Sequence, residues 1–440
     1  PIGKLLANMA VPMMVSMLVQ AFYNVVDSVY VSQLNENALS AISLAFPLQN
    51  LMIAFGSGTA VGTNALLSRA LGAKRHDLVD RAANTSIFLM FCNFAIFCVL
   101  GLTLSRTFFL AQTDVQQIVD YGASYTSICL GASIGIFAQF CFERLLQSTG
   151  RTKLAMYTQI AGAVINIILD PIFIFGFGMG VKGAALATII SQAVSCGWVL
   201  AFLTGKKTFL RIKKEYLKPV PSIVFPCLAL GLSTFVMQSS ESVISVCFNS
   251  SLLKYGGDLA VGAMTILTST MQFAMLPLQG IGQGAQPIMS YNYGARNIDR
   301  MKKTFKLHLV ISLIYSTLFW LFVQLFPATF AGIFSSDPEL VSFTAGALRI
   351  YCGAMFLFGI QLACQMTFVA IGYAVCSIIV AVVRKFVLLL PLIFIVPMFV
   401  SNKTLGVYMA EPIADAIAVT FTAILFSIQF KKALKKLDKA

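Results

Sequence analysis

Six positions of this chain recur at one fixed offset. Gly58, Gly62, Ser68, Gly72, Ala73 and Asp77 line up with Gly280, Gly284, Ser290, Gly294, Ala295 and Asp299, each pair 222 residues apart. Basic residues accompany both Gly-Ala pairs: Lys74 and Arg75 in the first copy, Arg296 in the second. A half-length repeat restricts the fold to two equivalent halves, and in a strongly apolar chain that is the plan of transporters built by duplication.

The chain is apolar enough for that plan to apply. Of its 440 residues 58% are hydrophobic and 11% charged, against about 25% charged in soluble domains. A bilayer needs about 20 apolar residues per helical span. About twelve such runs can be placed, at 5–32, 38–68, 80–106, 117–145, 152–177, 183–204, 223–253, 259–291, 304–328, 339–371, 374–400 and 405–430. No strand-period alternation appears, which excludes a β-barrel. The expected fold is an all-α integral membrane protein of twelve transmembrane helices in two six-helix bundles. Residues 1–204 form an amino-terminal lobe, 205–222 a cytoplasmic basic linker and 223–440 a carboxy-terminal lobe.

The net charge of +14 is distributed in alternate connections. Basic clusters fall at Arg69 to Arg81, Arg144 to Lys153, Lys206 to Lys218, Arg296 to Lys306 and Lys431 to Lys439. The connections between them hold little beyond Arg106, Lys182, Lys254 and Lys403. That alternation follows the positive-inside rule and places both termini in the cytoplasm of a multi-pass plasma-membrane protein. It also removes the case for nucleic acid, since the inner side accounts for the charge. The linker lysines suit anionic lipid headgroups as well as solvent. The run Phe430-Lys-Lys-Ala-Leu-Lys-Lys reads equally as an amphipathic interfacial end or a solvated tail. Nothing at the start resembles a cleavable signal peptide.

Ten cysteines without CxxC spacing read as small core residues, and the two histidines, His76 and His308, have no partner at ligand spacing. Neither a metal centre, an organic cofactor nor an enzyme is expected.

Carboxylates inside spans need a reason, because each costs about 2.5–3.5 kcal/mol on insertion scales. Asp27 lies deep in the first span and Asp170 in the fifth, within Asn166-Ile-Ile-Leu-Asp-Pro. Asn166 and Asp170, four apart, share a helix face. Pro171 frees the carbonyl of Ile167. Two carboxylates and an amide oxygen form a hard-oxygen set suited to Na⁺ or to protons. The alternative is a pair of polar groups that only joins helices. The second half carries Glu241 in the seventh span, with Glu411 and Asp415 on one face of the twelfth. Leu388 and Leu392 stand where Asn166 and Asp170 would recur. Glu143 beside Arg144 reads as an interfacial ion pair. Arg384 and Lys385 read as snorkelling or as paired with a second-half acid. Gly58, Gly62, Gly280 and Gly284 thin the second and eighth spans and, with Pro12 in the first, are candidate hinge positions.

These residues resemble the multidrug and toxic compound extrusion (MATE) family along essentially the whole chain. The resemblance rests on Pro12 and Asp27 in span one, Gly-Ala-Lys/Arg after spans two and eight, Asn166-x-x-x-Asp170-Pro, and Gln283-Gly-Ala-Gln-Pro-x-x-Ser-Tyr-Asn-Tyr-Gly. It implies a V-shaped pair of bundles exchanging a drug-like substrate for Na⁺ or H⁺. The family's cation-site residues carry over as Asp27, Asn166 and Asp170, with Thr188 completing the set, and its span-seven acid as Glu241. Where some members have an aspartate in span ten, this chain has Gln361 and Gln365, so the amino-terminal lobe is the expected cation site. Gln283, Gln361, Glu411 and Asp415 join Glu241 as a second-lobe polar or substrate site. The expected activity is antiport of small amphiphilic, often cationic drugs by a monomer in the lipid bilayer. The competing reading is a flippase for lipid-linked or amphiphilic substrates, which calls for a cationic cavity. A channel or an intramembrane enzyme fits less well.

Overall fold

A computed structural model describes residues 1–205 and 214–440. Lys206, Lys207, Arg211 and Lys213 of the basic linker lie outside the described residues. Fifteen α-helices and no strand occur among those described. In chain order α1 is Ile2–Ser32, α2 Glu36–Gly72, α3 His76–Leu110, α4 Gln116–Gly131, α5 Ile134–Ser148, α6 Thr152–Pro171 and α7 Val181–Thr204. Then follow α8 Pro221–Gly294, α9 Ile298–Leu325, α10 Pro327–Phe334, α11 Pro338–Tyr351, α12 Phe358–Ala370, α13 Ala374–Val382, α14 Leu390–Phe399 and α15 Lys403–Lys439.

By length and composition nine described helices can each cross a membrane, or eleven spans if each bent pair counts as one. Helix α8 has 74 residues, about 110 Å at 1.5 Å per residue, against a hydrocarbon core of about 30 Å. It is two helices meeting at Gly257, whose φ of 67° and ψ of −159° are open to glycine and not to helix. Splitting it there turns eleven spans into twelve.

The repeat is written in backbone geometry as well as in sequence. The pairs α4/α5 and α11/α12 are each bent by 43°, at breaks over 132–133 and 352–354 that the 222-residue offset brings to overlapping positions. Lys74 and Arg296 both adopt φ of 57°, the left-handed region. Each closes a helix with the same wrap: Arg75 N donates to Ala70 O at 3.0 Å and Asn297 N to Asn292 O at 3.0 Å. Gly150 and Gly372, with φ of 81° and 83°, repeat that device where Arg151 N meets Leu146 O and Tyr373 N meets Phe368 O.

Two compact units emerge, one of Val11–Phe235 and one of Pro1–Ala10 with Val236–Ala440. In the first, Phe97, Phe109 and Phe137 fill a core shared by α2 to α5 and α7. Gly62 lies so close to the start of α8 that an added Cβ would strike the Cys227 carbonyl, while one added at Gly58 would lie 3.0 Å from the Gly231 carbonyl oxygen. Two small-residue pairs of four-residue spacing thus press backbone to backbone. In the second unit Phe248, Phe358 and Tyr408 anchor the core, with the Tyr408 hydroxyl donating to Ala260 O at 2.7 Å. Gly284 repeats the role of Gly62 there, its missing Cβ lying 2.5 Å from Ala10 Cα. These glycines make contacts of closest packing; the helices continue past Pro12 and Pro47, each of which leaves one backbone bond unmade.

The carboxy-terminal run continues α15 as an amphipathic turn: Phe430, Leu434 and Leu437 pack on Met289 and Met301, and the lysines face outward.

Candidate functional site

In the first unit, α1 supplies Asp27, α6 supplies Asn166 and Asp170, and α7 supplies Thr188. Pro171 ends the regular part of α6, and the chain continues as a π-turn over Ile172–Gly176, the kind of irregularity common at functional sites. Asp170 is fully buried and Asn166 nearly so. Neither oxygen of Asp170, neither polar atom of the Asn166 amide, and not Oδ1 of Asp27 has a hydrogen-bond partner. The Asp27 and Asp170 carboxyls lie close enough to share a proton, so their oxygens lack partners only while both are ionised. Thr188 Oγ1 donates to Ala184 O at 3.0 Å, which leaves its oxygen free to accept.

Buried polar atoms are normally satisfied, and a carboxylate left unpaired in a low dielectric is costly. A bound monovalent cation, or a proton on the pair, supplies the missing partners. No group of three or more His, Cys, Asp or Glu side chains placed for a metal occurs among the described residues. Two carboxylates with neutral oxygens match a weakly held ion better than a resident metal.

The structure adds residues that sequence reasoning passed over. Tyr23, one turn before Asp27 on the same face, is within electrostatic reach of Asp27, Asp170 and Glu143. Tyr125 takes a hydrogen bond from Gln49 Nε2 at 2.9 Å, and it and Cys129 are in reach of Asp27. Gln139 Nε2 donates to Gln159 Oε1 at 2.6 Å and to Glu143 Oε1 at 3.2 Å. With Tyr23, Ser191, Gln192 and Ser195, Gln139 and Gln159 line a small polar cavity. The four-residue spacings Tyr23/Asp27, Tyr125/Cys129 and Gln139/Glu143 were the available signal. The interfacial ion pair expected of Glu143 and Arg144 does not form. Neighbours in sequence point about 100° apart on a helix, and Arg144 instead donates to Gln147 Oε1 at 3.0 Å.

In the second unit the three acids come together around two bases. Arg384 Nε donates to Asp415 Oδ1 at 3.1 Å, its Nη2 stands 3.7 Å from Glu411 Oε1, and Lys385 Nζ meets Glu241 Oε1 at 2.5 Å. Arg384 also stacks over Phe358 at 4.7 Å. Of the two readings of Arg384 and Lys385, pairing holds and snorkelling does not. They lie in a second π-turn, Val383–Leu389, whose widened winding lets consecutive bases both turn inward. Gln361 is buried on α12 with both polar amide atoms unpartnered. Gln283 is half-buried on α8. Gly280 is buried in the same helix.

A duplicated helical membrane protein that keeps ionisable groups inside its spans has the build of a secondary transporter. The chain belongs to the MatE family, whose profile matches residues 12–172 and again 233–395. It is similar to the multidrug export protein MepA of Staphylococcus haemolyticus, at 27% identity over 82% of this chain and 79% of that one. It is also similar to the probable multidrug resistance protein YoeA of Bacillus subtilis, at 24% identity over 96% and 93%. Among solved structures, MATE in the bent conformation superposes with a TM-score of 0.94, at 24% identity over 99% of this chain and 97% of that one.

Proposed function

We propose that the chain exports small amphiphilic, often cationic drugs by antiport against inward Na⁺ or H⁺, with Asp27 and Asp170 as the coupling pair. The observation that carries this reading is the set of unpartnered buried polar atoms on Asp27, Asn166 and Asp170. The named relatives, multidrug export and resistance proteins, support the substrate class. Charge distribution supports a plasma-membrane orientation with both termini in the cytoplasm. The lobes follow the repeat, 1–204 and 223–440, and alternate access by moving about positions such as Pro12, Gly58, Gly62, Gly280 and Gly284.

In this cycle an ion entering from outside neutralises the acids, drug affinity falls, and the drug leaves outward. The ion departs inward and the next drug binds. Ion and drug must bind competitively, or no coupling results. One cation moving down ~100 mV gains about 2.3 kcal/mol, and a tenfold gradient adds about 1.4. Together they sustain roughly 400-fold accumulation of a neutral substrate. A substrate carrying +1 outward cancels the electrical share and leaves about tenfold, so strong export of cations takes more than one ion per cycle.

The flippase reading needs free cationic groups for a pyrophosphate. Arg384 and Lys385 are each held by a carboxylate, which speaks against it.

The test is efflux of a fluorescent lipophilic cation from proteoliposomes, with Na⁺ and pH gradients imposed separately on wild type and Asp27→Asn. Gradient-driven efflux that disappears in the variant supports antiport and names the ion. No response to either gradient, or an unimpaired variant, overturns the coupling pair.

A further inference from the structure

Two outer stripes of the second unit change character where their helices meet. On α9, Lys302, Lys306, Val310 and Ile314 follow at four-residue intervals and all are exposed, the last two by 43% and 56%. On α15, Ile424, Ile428, Lys432 and Lys436 do the same, the isoleucines exposed by 58% and 49%. Residues four apart share a helix face, so each face passes directly from apolar side chains to ammonium groups. The two lysine-bearing ends are packed together, with the Phe305 ring 4.5 Å from Phe426 and 5.5 Å from Phe430. From Lys403 to Lys432 α15 rises about 44 Å, and a bilayer with its headgroups is about 40–45 Å thick. From Lys306 to Gln324 α9 rises about 27 Å, close to the hydrocarbon core of about 30 Å. Both lysine pairs therefore fall at headgroup level. Like charges at four-residue spacing repel, and each stripe carries such a pair. Asp299 and Asp438 are the only carboxylates near these ends, and among the described residues neither forms an ion pair with a lysine. The repeat does not require the arrangement: Asp80 and Asn84 stand where Lys302 and Lys306 would recur.

We propose that this end of the second unit is a docking site for an anionic phospholipid. Its phosphate sits among Lys302, Lys306, Lys432 and Lys436, and its acyl chains lie along the apolar continuation of each stripe. The lysines supply point charges on flexible stems, which suit a phosphate. Clusters of such residues beside a membrane span draw anionic headgroups. A zwitterionic lipid brings its own ammonium, which the lysines repel, so the site selects for net negative charge. The apolar half of each stripe gives a free phosphate nothing to touch. The inference does not depend on which ion drives export or on what is exported. Its consequence is that the second unit is held at its depth by lipid at a place where the first unit has no equivalent lysines on α3.

The test is titration of the purified full chain in detergent with phosphatidylglycerol and with phosphatidylcholine of the same acyl chains, bound lipid being counted by native mass spectrometry. Wild type should hold phosphatidylglycerol at least about tenfold more tightly. Lys302→Gln, Lys306→Gln, Lys432→Gln and Lys436→Gln together should bring the two lipids to within about twofold of each other. Arginine at the same four positions should keep the wild-type preference. Lys153→Gln, Lys182→Gln, Lys218→Gln and Lys254→Gln together remove the same charge elsewhere and should keep it too. If the first quadruple does not fold, its α9 pair and its α15 pair, made separately, must each lower the preference. Equal affinity of wild type for the two lipids, or an equal loss in the control quadruple, overturns the proposal. Displacement of the lipid by millimolar inorganic phosphate overturns it as well, since the site would then be one for free phosphate.

Discussion

Arg384 donates from Nε to Asp415 at 3.1 Å with both side chains under a tenth exposed, and the same guanidinium serves Glu411 at 3.7 Å. Breaking a buried pair by removing one partner typically costs about 3–5 kcal/mol, because the other charge stays buried. The two partners are unequal here. Asp415→Asn leaves Arg384 with Glu411 and keeps a polar side chain, so about 3 kcal/mol is expected. Arg384→Met strands two neighbouring carboxylates and should cost more, about 5 kcal/mol. Thermal unfolding of the purified chain should rank Arg384→Met below Asp415→Asn, and both below wild type. The reverse order would mean that Asp415 contributes to the fold beyond its pairing with Arg384.

Gly62 and Gly197 are both helical glycines, and they should respond to alanine in opposite directions. In Gly62→Ala the new Cβ would fall on the Cys227 carbonyl, which cannot rotate away. Overpacking of that sort costs about 1–3 kcal/mol. Gly197 on α7 has nothing within 4 Å of the added atom, so alanine should gain about 0.5–1 kcal/mol from helix propensity alone. Melting temperatures of the two variants decide it: a stable Gly62→Ala would mean that α2 and α8 part easily at this crossing.

Lys74 and Arg296 hold φ of 57° at equivalent turns, a conformation that costs a non-glycine residue about 1 kcal/mol. Lys74→Gly and Arg296→Gly should each relieve backbone strain, raising stability by up to about 1 kcal/mol. Each turn lies in one of the basic connections, where the proposed orientation assigns a positive charge a topogenic role that offsets the strain. Topology mapping of the double variant should therefore reveal more misoriented chains even as the melting temperature rises. Unchanged orientation would assign the basic residues no such role.

Much of this was legible in sequence because duplication and hydrophobic length are one-dimensional signals. The 222-residue offset read from glycines reappears in the paired left-handed turns, and to within a residue or so in the paired bends and the two family matches. Asp27 and Asp170 could be nominated because a carboxylate in an apolar run stands out by cost, and Asn166 because it shares a helix face with Asp170. What sequence did not resolve was pairing across helices. Lys385 finds Glu241 144 positions away, and Arg384 turns inward beside it only because the helix widens into a π-turn that no residue pattern announced. Glu143 was misassigned for the same reason: adjacency in sequence suggested Arg144, whereas helix geometry gave it Gln139.

The unpartnered set in the first unit leads to a prediction that separates Na⁺ from H⁺ without a transport assay. Whatever ion satisfies Asp27, Asn166 and Asp170 binds the folded chain and not the unfolded one, so it must stabilise the fold. At a hundred times its dissociation constant the gain is about 2.7 kcal/mol. If Na⁺ is the coupling ion, melting in Na⁺ should exceed melting in choline at equal ionic strength. Asp170→Asn should abolish the difference, because it removes one of the two carboxylates that balance the ion's charge. Asn166→Ala removes only a neutral amide and should reduce the difference without erasing it. If the chain melts identically in Na⁺ and choline while pH shifts wild type and not Asp170→Asn, the acids carry protons. A Na⁺ effect that survives in Asp170→Asn would move the ion to another site and remove Asp170 from the coupling mechanism.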